Sequence, residues 1–518
     1  MKKIKTDVLI IGGGLAGCWA AMAALELTDD VLLVDKSMVG RSGCSTFAAG
    51  VMLAPISSDN LDEWREEIVK RGEFMSDQDW VEVLLEEQMA RLTQMNAWGF
   101  PFEKEPDGSF SRMVGRGHIK TRMLMFHGHH LMNEMRKQVL GKGIRLMERI
   151  MVTDILTDNS GPRPRLCGAI GFHTRQGEWL AINAKAVIIC AGHIGTRLGG
   201  RYVDNISGDG PAMAYRAGVT LCDMEFTTQC NITIWRRQYE AAGINMIQGN
   251  GAYIINAKGE RFMEKYDPLL KERSKTYTLG AAFTKETLEG RGPIYVDMRS
   301  IKPEVFERFN RVIPKTMQVF KAAGIDPGRE PIECAPSTQS PRTDSGEGGI
   351  KVDLSCRTNF PGLFAAGSST KILPHGTYAV GGINLAYCCV AGYRAGKQAA
   401  EFAAKSGFNP LPGDHPLKEK VSRLPTQGRD AEELIKMIKM ATVPARYSYF
   451  KHARRIQQTL ARLAELEEEY LPGLGAADAH HLVKALEVRN YLTCARLTYQ
   501  AALIREESRG SHFREEFP

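Results

Sequence analysis

Gly12-Gly13-Gly14-Leu15-Ala16-Gly17 is the stretch of this 518-residue chain whose residue types and spacing most clearly imply chemistry. The spacing suits a pyrophosphate: Gly12 permits a tight turn, Gly14 lets backbone approach phosphate oxygens, and Gly17 lets the next helix press on the preceding strand. That helix opens with unpaired amide groups and a positive dipole end directed at phosphate. Asp35 ends the next apolar run, about 20 residues beyond the loop, where a carboxylate can accept from a ribose hydroxyl. A glycine-rich turn is the plainer alternative, but apolar strands on both sides make a dinucleotide site the better reading.

The elements that must hold this loop are legible around it. Val8-Leu9-Ile10-Ile11 is a continuous apolar run, as a parallel strand buried on both faces requires, and Val31-Leu32-Leu33-Val34 is a second. Ala186 to Gly192 and Gly362 to Ser369 read as further buried strands, and Gly381-Gly382-Ile383-Asn384-Leu385 opens a helix. Val39 to Gly50 is rich in small and hydroxyl residues, which suits close backbone approach of a ring system. The nucleotide domain therefore occupies residues 1–221 and 346–410, and residues 222–345 are an inserted α+β cap, with a strand at 252–255 and a helix at 304–309. Residues 411–518 read as a helical domain, with helices at 432–440, 447–469 and 478–507.

The net charge of +7 is spread over a mixed-charge sequence without a basic run, which argues against nucleic acid and suits an anionic substrate or an acidic redox partner. Eleven cysteines include no CxxC, which excludes the usual iron–sulfur cluster runs within the chain. They read as reduced, mostly buried residues of a cytoplasmic protein, with Cys230 the one to test for reactivity. His127-Gly128-His129-His130 has no cysteine or carboxylate at ligand spacing, so no metal site is assigned. No apolar stretch of about 18 residues and no charged-then-apolar leader is evident, so neither a membrane span nor a secretory signal is expected.

Together these segments resemble the succinate dehydrogenase and fumarate reductase flavoprotein family, which also contains L-aspartate oxidase and the alpha subunit of adenylylsulfate reductase. The likeness extends to Ser207-Gly208-Asp209-Gly210, Gly251 to Asn256, Leu486-Glu487-Val488-Arg489-Asn490 and Glu507 to His512. Trp98-Gly99-Phe100-Pro101 and Ser345-Gly346-Glu347-Gly348-Gly349 lean toward the adenylylsulfate reductase branch. The resemblance implies an α/β fold: a Rossmann-like FAD-binding domain of glutathione-reductase-like type, the inserted cap and the C-terminal helical domain. It implies FAD lined by Gly12, Gly14, Gly17, Asp35, Lys36, Arg41, Ser42, Gly43, Thr46, Ala49, Gly50, Val152, Ala191, Gly192, Asp209, Gly367, Asn384 and Leu385. Ser45 stands where some relatives tether flavin through a histidine, which implies non-covalent FAD. Ser368 replaces the acid that touches the ribityl chain in relatives.

The family's reactive positions look altered. Cys230 falls near one histidine, Thr278 near the proton-donating arginine and Asp344 near the second histidine. The family's HGANRLG is His375-Gly376-Thr377-Tyr378-Ala379-Val380-Gly381, with Ala379 in the arginine's place. These changes argue against C4-dicarboxylate chemistry. Arg236, Arg273, Arg342, Asp344 and His375 remain the candidate catalytic groups. Arginine can fix a carboxylate or sulfo group by paired hydrogen bonds, His375 can donate a proton, and Asp344 can act as a base or pair with Arg342. A solvated face is the plainer alternative for each arginine. The function expected is an FAD-dependent oxidoreductase subunit that exchanges electrons between a small anionic substrate and a ferredoxin-like iron–sulfur subunit. The alternatives are a non-catalytic FAD relay and an oxidase resembling L-aspartate oxidase. The helical end is left open to another polypeptide, in a homo- or hetero-oligomer.

Overall fold

The phosphate loop's strand, Lys2–Ile11, lies inside a seven-stranded sheet in the computed structural model, which describes residues 1–48, 50–115, 117–126, 128–194, 206–226, 233–236, 239–241, 244–335, 348–412 and 424–518. Val8 to Ile11 pair in parallel with Val31 to Val34 on one side and with Ala186 to Ile189 on the other. Both faces of this centre are covered, which explains why its strands are apolar without alternation. The strand Trp179–Ile189 is shared: its first half pairs antiparallel with Arg165–His173, while Val187 to Ile189 pair in parallel with Leu363 to Ala365. The chain thus leaves this sheet after residue 189 and returns to its centre at residue 363.

Leu15–Ala24, the helix after the loop, is buried along its whole length and packs on the long helix Ile383–Ala404. Their backbones approach closely at Gly392 and Gly396. A β-carbon at these positions would stand 2.5 Å from Ala16 O and 2.2 Å from Ala20 O. The excursion between the two visits to the sheet includes a five-stranded antiparallel sheet in the order Tyr239–Ala241, Thr233–Arg236, Ile332–Ala335, Ile294–Asp297, Tyr253–Ile255. Its core holds Ile254, Phe283, Val296, Phe309 and Phe320. Met113 and Met123, from a small sheet that pairs Val51–Leu53 with Met123–Met125, join the same core and form a seam with the nucleotide-binding part.

The C-terminal part is helical, with Ala431–Thr442, Ala453–Glu465 and Ala479–Ile504 packed around Leu434, Ile438, Leu463 and Val488. The continuous helix expected over residues 447–469 is interrupted. Phe450–Lys451 forms a short strand that pairs in parallel with Phe513–Arg514, and the helix restarts at Ala453 with His452 accepting from Arg454 N–H at 3.2 Å. Helical periodicity cannot register a pairing with residues some 60 positions away; the Phe450 and Phe513 rings, 5.8 Å apart, decide it. Among the described residues no helix is long and apolar enough to cross a membrane.

Replacing Gly396 by valine places methyl groups into the Ala20 carbonyl. The expected loss is about 1–3 kcal/mol, the usual range for overpacking a core, read as a lower urea midpoint of the holoprotein. An unchanged midpoint would mean that the two helices can separate without cost.

Candidate functional site

A groove begins at the phosphate loop and runs along the carboxyl ends of the central strands. Of the residues assigned to the cofactor, Gly12, Gly14, Asp35, Lys36, Ser42, Gly43, Ser45, Val152, Ala191, Gly192, Asp209 and Ser368 line it. Gly12 has φ +108°, and a β-carbon there would lie 2.3 Å from Cys190 O. At Gly14 a β-carbon would meet nothing nearer than Ser45 Oγ at 3.6 Å, so that backbone is open to a ligand. Asp35 accepts from Gly13 N–H and from Ser37 N–H, both at 2.7 Å, which fixes its carboxylate at the rim with lone pairs to spare.

Lys36 differs from the expectation. Its ammonium donates to Ser207 Oγ at 2.7 Å, Asp209 Oδ2 at 2.8 Å and Glu487 Oε1 at 2.9 Å. Burial alone would lower its pKa, yet the carboxylates of Asp209 and Glu487 hold it above the ordinary lysine range. All three ammonium protons have acceptors, so Lys36 forms a wall of the groove and offers no free donor. Asp209 also accepts from Asn490 Nδ2 at 2.7 Å.

The remaining assigned residues that the structure describes lie outside this groove. Gly17 is a packing glycine, since a β-carbon there would stand 1.8 Å from Gly12 O. Gly367 faces Ala16 in the same way, at 2.7 Å. Arg41 reaches outward to Asn133 at 2.7 Å, and Thr46 donates to Ser42 O at 3.0 Å. Gly50 accepts from Phe126 N–H across the small sheet. Asn384 and Leu385 open the long helix, where Gly382 O accepts from Leu53 N–H at 3.0 Å, and Asn384 Oδ1 is buried without a partner. Ala49, His127, Cys230, Arg342 and Asp344 lie outside the described residues.

His375 is buried, 1% exposed, in a short turn with Lys371. Its Nδ1 accepts from Ala379 N–H at 2.9 Å, its ring lies 4.3 Å from that of Tyr378, and its Nε2 has no partner. Burial first, and then the Lys371 ammonium, push its pKa down to about 3. Lys371 donates to Gly376 O and pairs with Asp223, each at 2.9 Å. Arg505 closes the neighbouring cluster by pairing with Glu225, Asp223 and Glu507. Ala379 is itself buried, 3% exposed in the apolar core, so no cation stands at that position. Leu279 is buried in the cap core. Of the arginines nominated from sequence, Arg273 is placed at the seam, where its Nη2 donates to His118 O at 2.7 Å. Arg236 ends a cap strand, paired with Tyr239 across the hairpin.

Two family models match this chain: an FAD-binding domain over residues 7–385 and the C-terminal domain of the fumarate reductase flavoprotein over residues 435–518. The chain belongs to the succinate dehydrogenase and fumarate reductase flavoprotein family. One component of the CoM/CoB fumarate reductase of Methanothermobacter marburgensis is 31% identical to this flavoprotein, over 99% of this chain and 94% of its own length. A solved variant of Escherichia coli quinol fumarate reductase superposes with a TM-score of 0.88 at 25% identity, covering 99% of this chain and 92% of that one. Adenylylsulfate reductase from Archaeoglobus fulgidus shares the fold, with a TM-score of 0.81 at 22% identity over 100% and 92% of the two chains. This flavoprotein is accordingly an FAD-dependent oxidoreductase. The open backbone at Gly14 and the anchored carboxylate of Asp35 fit such a dinucleotide.

His118 is the residue that sequence reasoning missed. It is 1% exposed, and its Nδ1 lies 2.8 Å from Thr121 Oγ1. A lone histidine outside any motif gives no signal, and Glu67, which holds Thr121, is 54 residues away in the chain.

The flavoprotein's buried histidines set its acid response. Burial pushes His118 down to about 4 and His512 down to about 3, beside His375 at about 3. Each stays neutral in the folded chain, whereas the unfolded chain protonates it below about pH 6.5. Their contribution is therefore present above pH 6.5 and is lost as pH falls toward 4 and then 3, at up to about 1.4 kcal/mol per histidine per pH unit. Urea midpoints should fall between pH 7 and pH 5, and less steeply in His375→Gln. A pH-independent midpoint over that window would contradict this account.

Proposed function

We propose that this flavoprotein exchanges two electrons with a small anionic substrate, held between the nucleotide-binding part and the cap, and passes them singly to an iron–sulfur partner protein. FAD supplies the exchange of two electrons with the substrate and of single electrons with a metal centre. In this reading the Gly14 amide and the helix opening at Leu15 hold the pyrophosphate, Asp35 takes a ribose hydroxyl, and Val152 and Ser368 line the same groove. Ser45 in place of histidine supports non-covalent attachment.

Ala379 carries the reading of the substrate. In the family motif that begins at His375 an arginine is expected there, and this chain has a methyl group in apolar packing, with only its N–H turned to His375. Thr278 and Leu279, at the other arginine position, supply no cation either. A dicarboxylate needs cations at both ends, so fumarate is a poor match although relatives bear that name. His375 and Arg273 keep polar groups at the seam, and Arg342 is assigned to fix the substrate's anionic group. The same losses favour, in second place, a non-catalytic electron relay whose cap site has decayed.

The partner is inferred from the absence of CxxC in this chain and from its relative's being named as one component of a larger enzyme. Native purification should yield flavin and iron in one complex; flavin alone would remove the partner. Holoprotein reduced by dithionite should be reoxidised by fumarate no faster than by buffer, and rapid reoxidation would overturn the proposed departure from the fumarate reductases. Arg342→Ala should abolish flavin reduction by the native substrate while FAD content is kept.

A further inference from the structure

The hydrogen bonds around His118 assign its proton. Glu67 accepts from the backbone N–H groups of Ile119 at 2.8 Å, Lys120 at 2.5 Å and Thr121 at 3.2 Å, and from the Thr121 hydroxyl at 2.9 Å. All these partners are donors, as an ionised carboxylate requires, so the one hydroxyl proton of Thr121 goes to Glu67. Toward His118 Nδ1, 2.8 Å away, Thr121 Oγ1 can therefore only accept. His118 carries its proton on Nδ1, and its Nε2 is a bare lone pair.

His375 has the opposite arrangement. Its Nδ1 accepts from Ala379 N–H, so its proton sits on Nε2. Both Nε2 atoms are buried and make no hydrogen bond of ordinary geometry, although the Gly381 carbonyl lies near that of His118. They flank one turn: His375 is bound to Ala379, and a β-carbon at Gly381 would stand 3.4 Å from His118 Nε2. Arg273 of the cap holds the His118 carbonyl and keeps its own Nε buried and unpartnered. Leaving such groups unpaired costs about 1–3 kcal/mol each, so a donor and an acceptor on the two sides of one turn call for a polar ligand.

We propose that His118 is the proton acceptor of this flavoprotein, held in its accepting tautomer by the positioning residues Thr121 and Glu67, opposite His375 as a fixed donor. The proposal rests on the reading that substrate chemistry occurs at this seam. The substrate class is a small anion whose two-electron oxidation frees one proton from oxygen, nitrogen or sulfur. In that step the X–H bond breaks, its proton forms the N–H bond at His118 Nε2, and its electron pair completes the C=X bond while the carbon gives up a hydride, for which bound FAD would be the acceptor. In the reductive direction the same proton returns. Burial holds the His118 imidazolium down, against the Glu67 carboxylate and the carbonyls of Thr121 and Gly381, which favour it, and with Arg122, which opposes it. His118 is thus unprotonated at rest and free to accept.

The test needs no substrate. Holoprotein is reduced electrochemically through a mediator, and protons taken up are counted with an indicator between about pH 5 and 8, the range in which histidine changes charge. Wild type should take up one more proton per two electrons than His118→Gln. Thr121→Val should lose that proton and Thr121→Ser should keep it, at equal FAD content. Equal counts in wild type and His118→Gln would overturn the proposal and leave the anionic-substrate and iron–sulfur readings to their own tests. If His118→Gln does not fold, the Thr121 pair decides. Nitrogen NMR of [15N]histidine-labelled wild type adds an independent criterion: a proton on Nε2 of His118 would overturn the assignment.

Discussion

A single ammonium joins the parts that enclose the groove. Lys36 leaves the end of the second strand and is met by Asp209 at the start of a helix after the sheet, and by Glu487 on the C-terminal helix. Two buried carboxylates this close need a cation between them, and the half-buried ammonium in turn draws on both. Removing one member of such a set typically costs about 3–5 kcal/mol, because the others are left buried and uncompensated. Asn490, one turn beyond Glu487, donates to Asp209 and accepts from Arg216 at 3.0 Å, which extends the network to the strand that carries Val152. The C-terminal helix is therefore fixed to the wall of the groove by charge as well as by apolar contact.

The seam is organised differently, by neutrality. Lys371 is occupied by Asp223 and the Gly376 carbonyl and Arg505 by two glutamates and Asp223, while Arg273 holds the His118 carbonyl and keeps its Nε unpartnered. Beside that Nε stand neutral imidazoles whose protons are placed by their other nitrogen. Burial keeps them uncharged, and a low-dielectric setting makes each free donor or acceptor count for more than it would in water. A site of this kind orients a polar ligand without attracting it from afar; that attraction is left to the mild positive charge of the whole chain.

With its fumarate reductase relatives this flavoprotein shares the scaffold. Superposition over nearly the whole chain at 25% identity is what a fold held by glycine contacts and buried strands allows. Gly12, Gly17, Gly392 and Gly396 admit no side chain.

The sequence by itself determined the strands around the loop, the loop's ligand class and the return of the chain to the sheet at residue 363, because these depend on local periodicity and on glycine where backbone meets backbone. It also located His375 and the small residues of the groove through a motif. Lys36 was legible as a groove residue, but not as a residue whose protons are all taken, since Glu487 lies 451 positions away. The break at Phe450 escaped for the same reason: apolar spacing of three and four fits a helix, and only the strand at Phe513 overrules it. His118 is the extreme case. Nothing in its neighbours marks it, and its tautomer depends on a hydroxyl three residues on and a carboxylate from another helix. Tertiary structure alone decided it, because the position of a proton on an imidazole is set by what surrounds the ring in space.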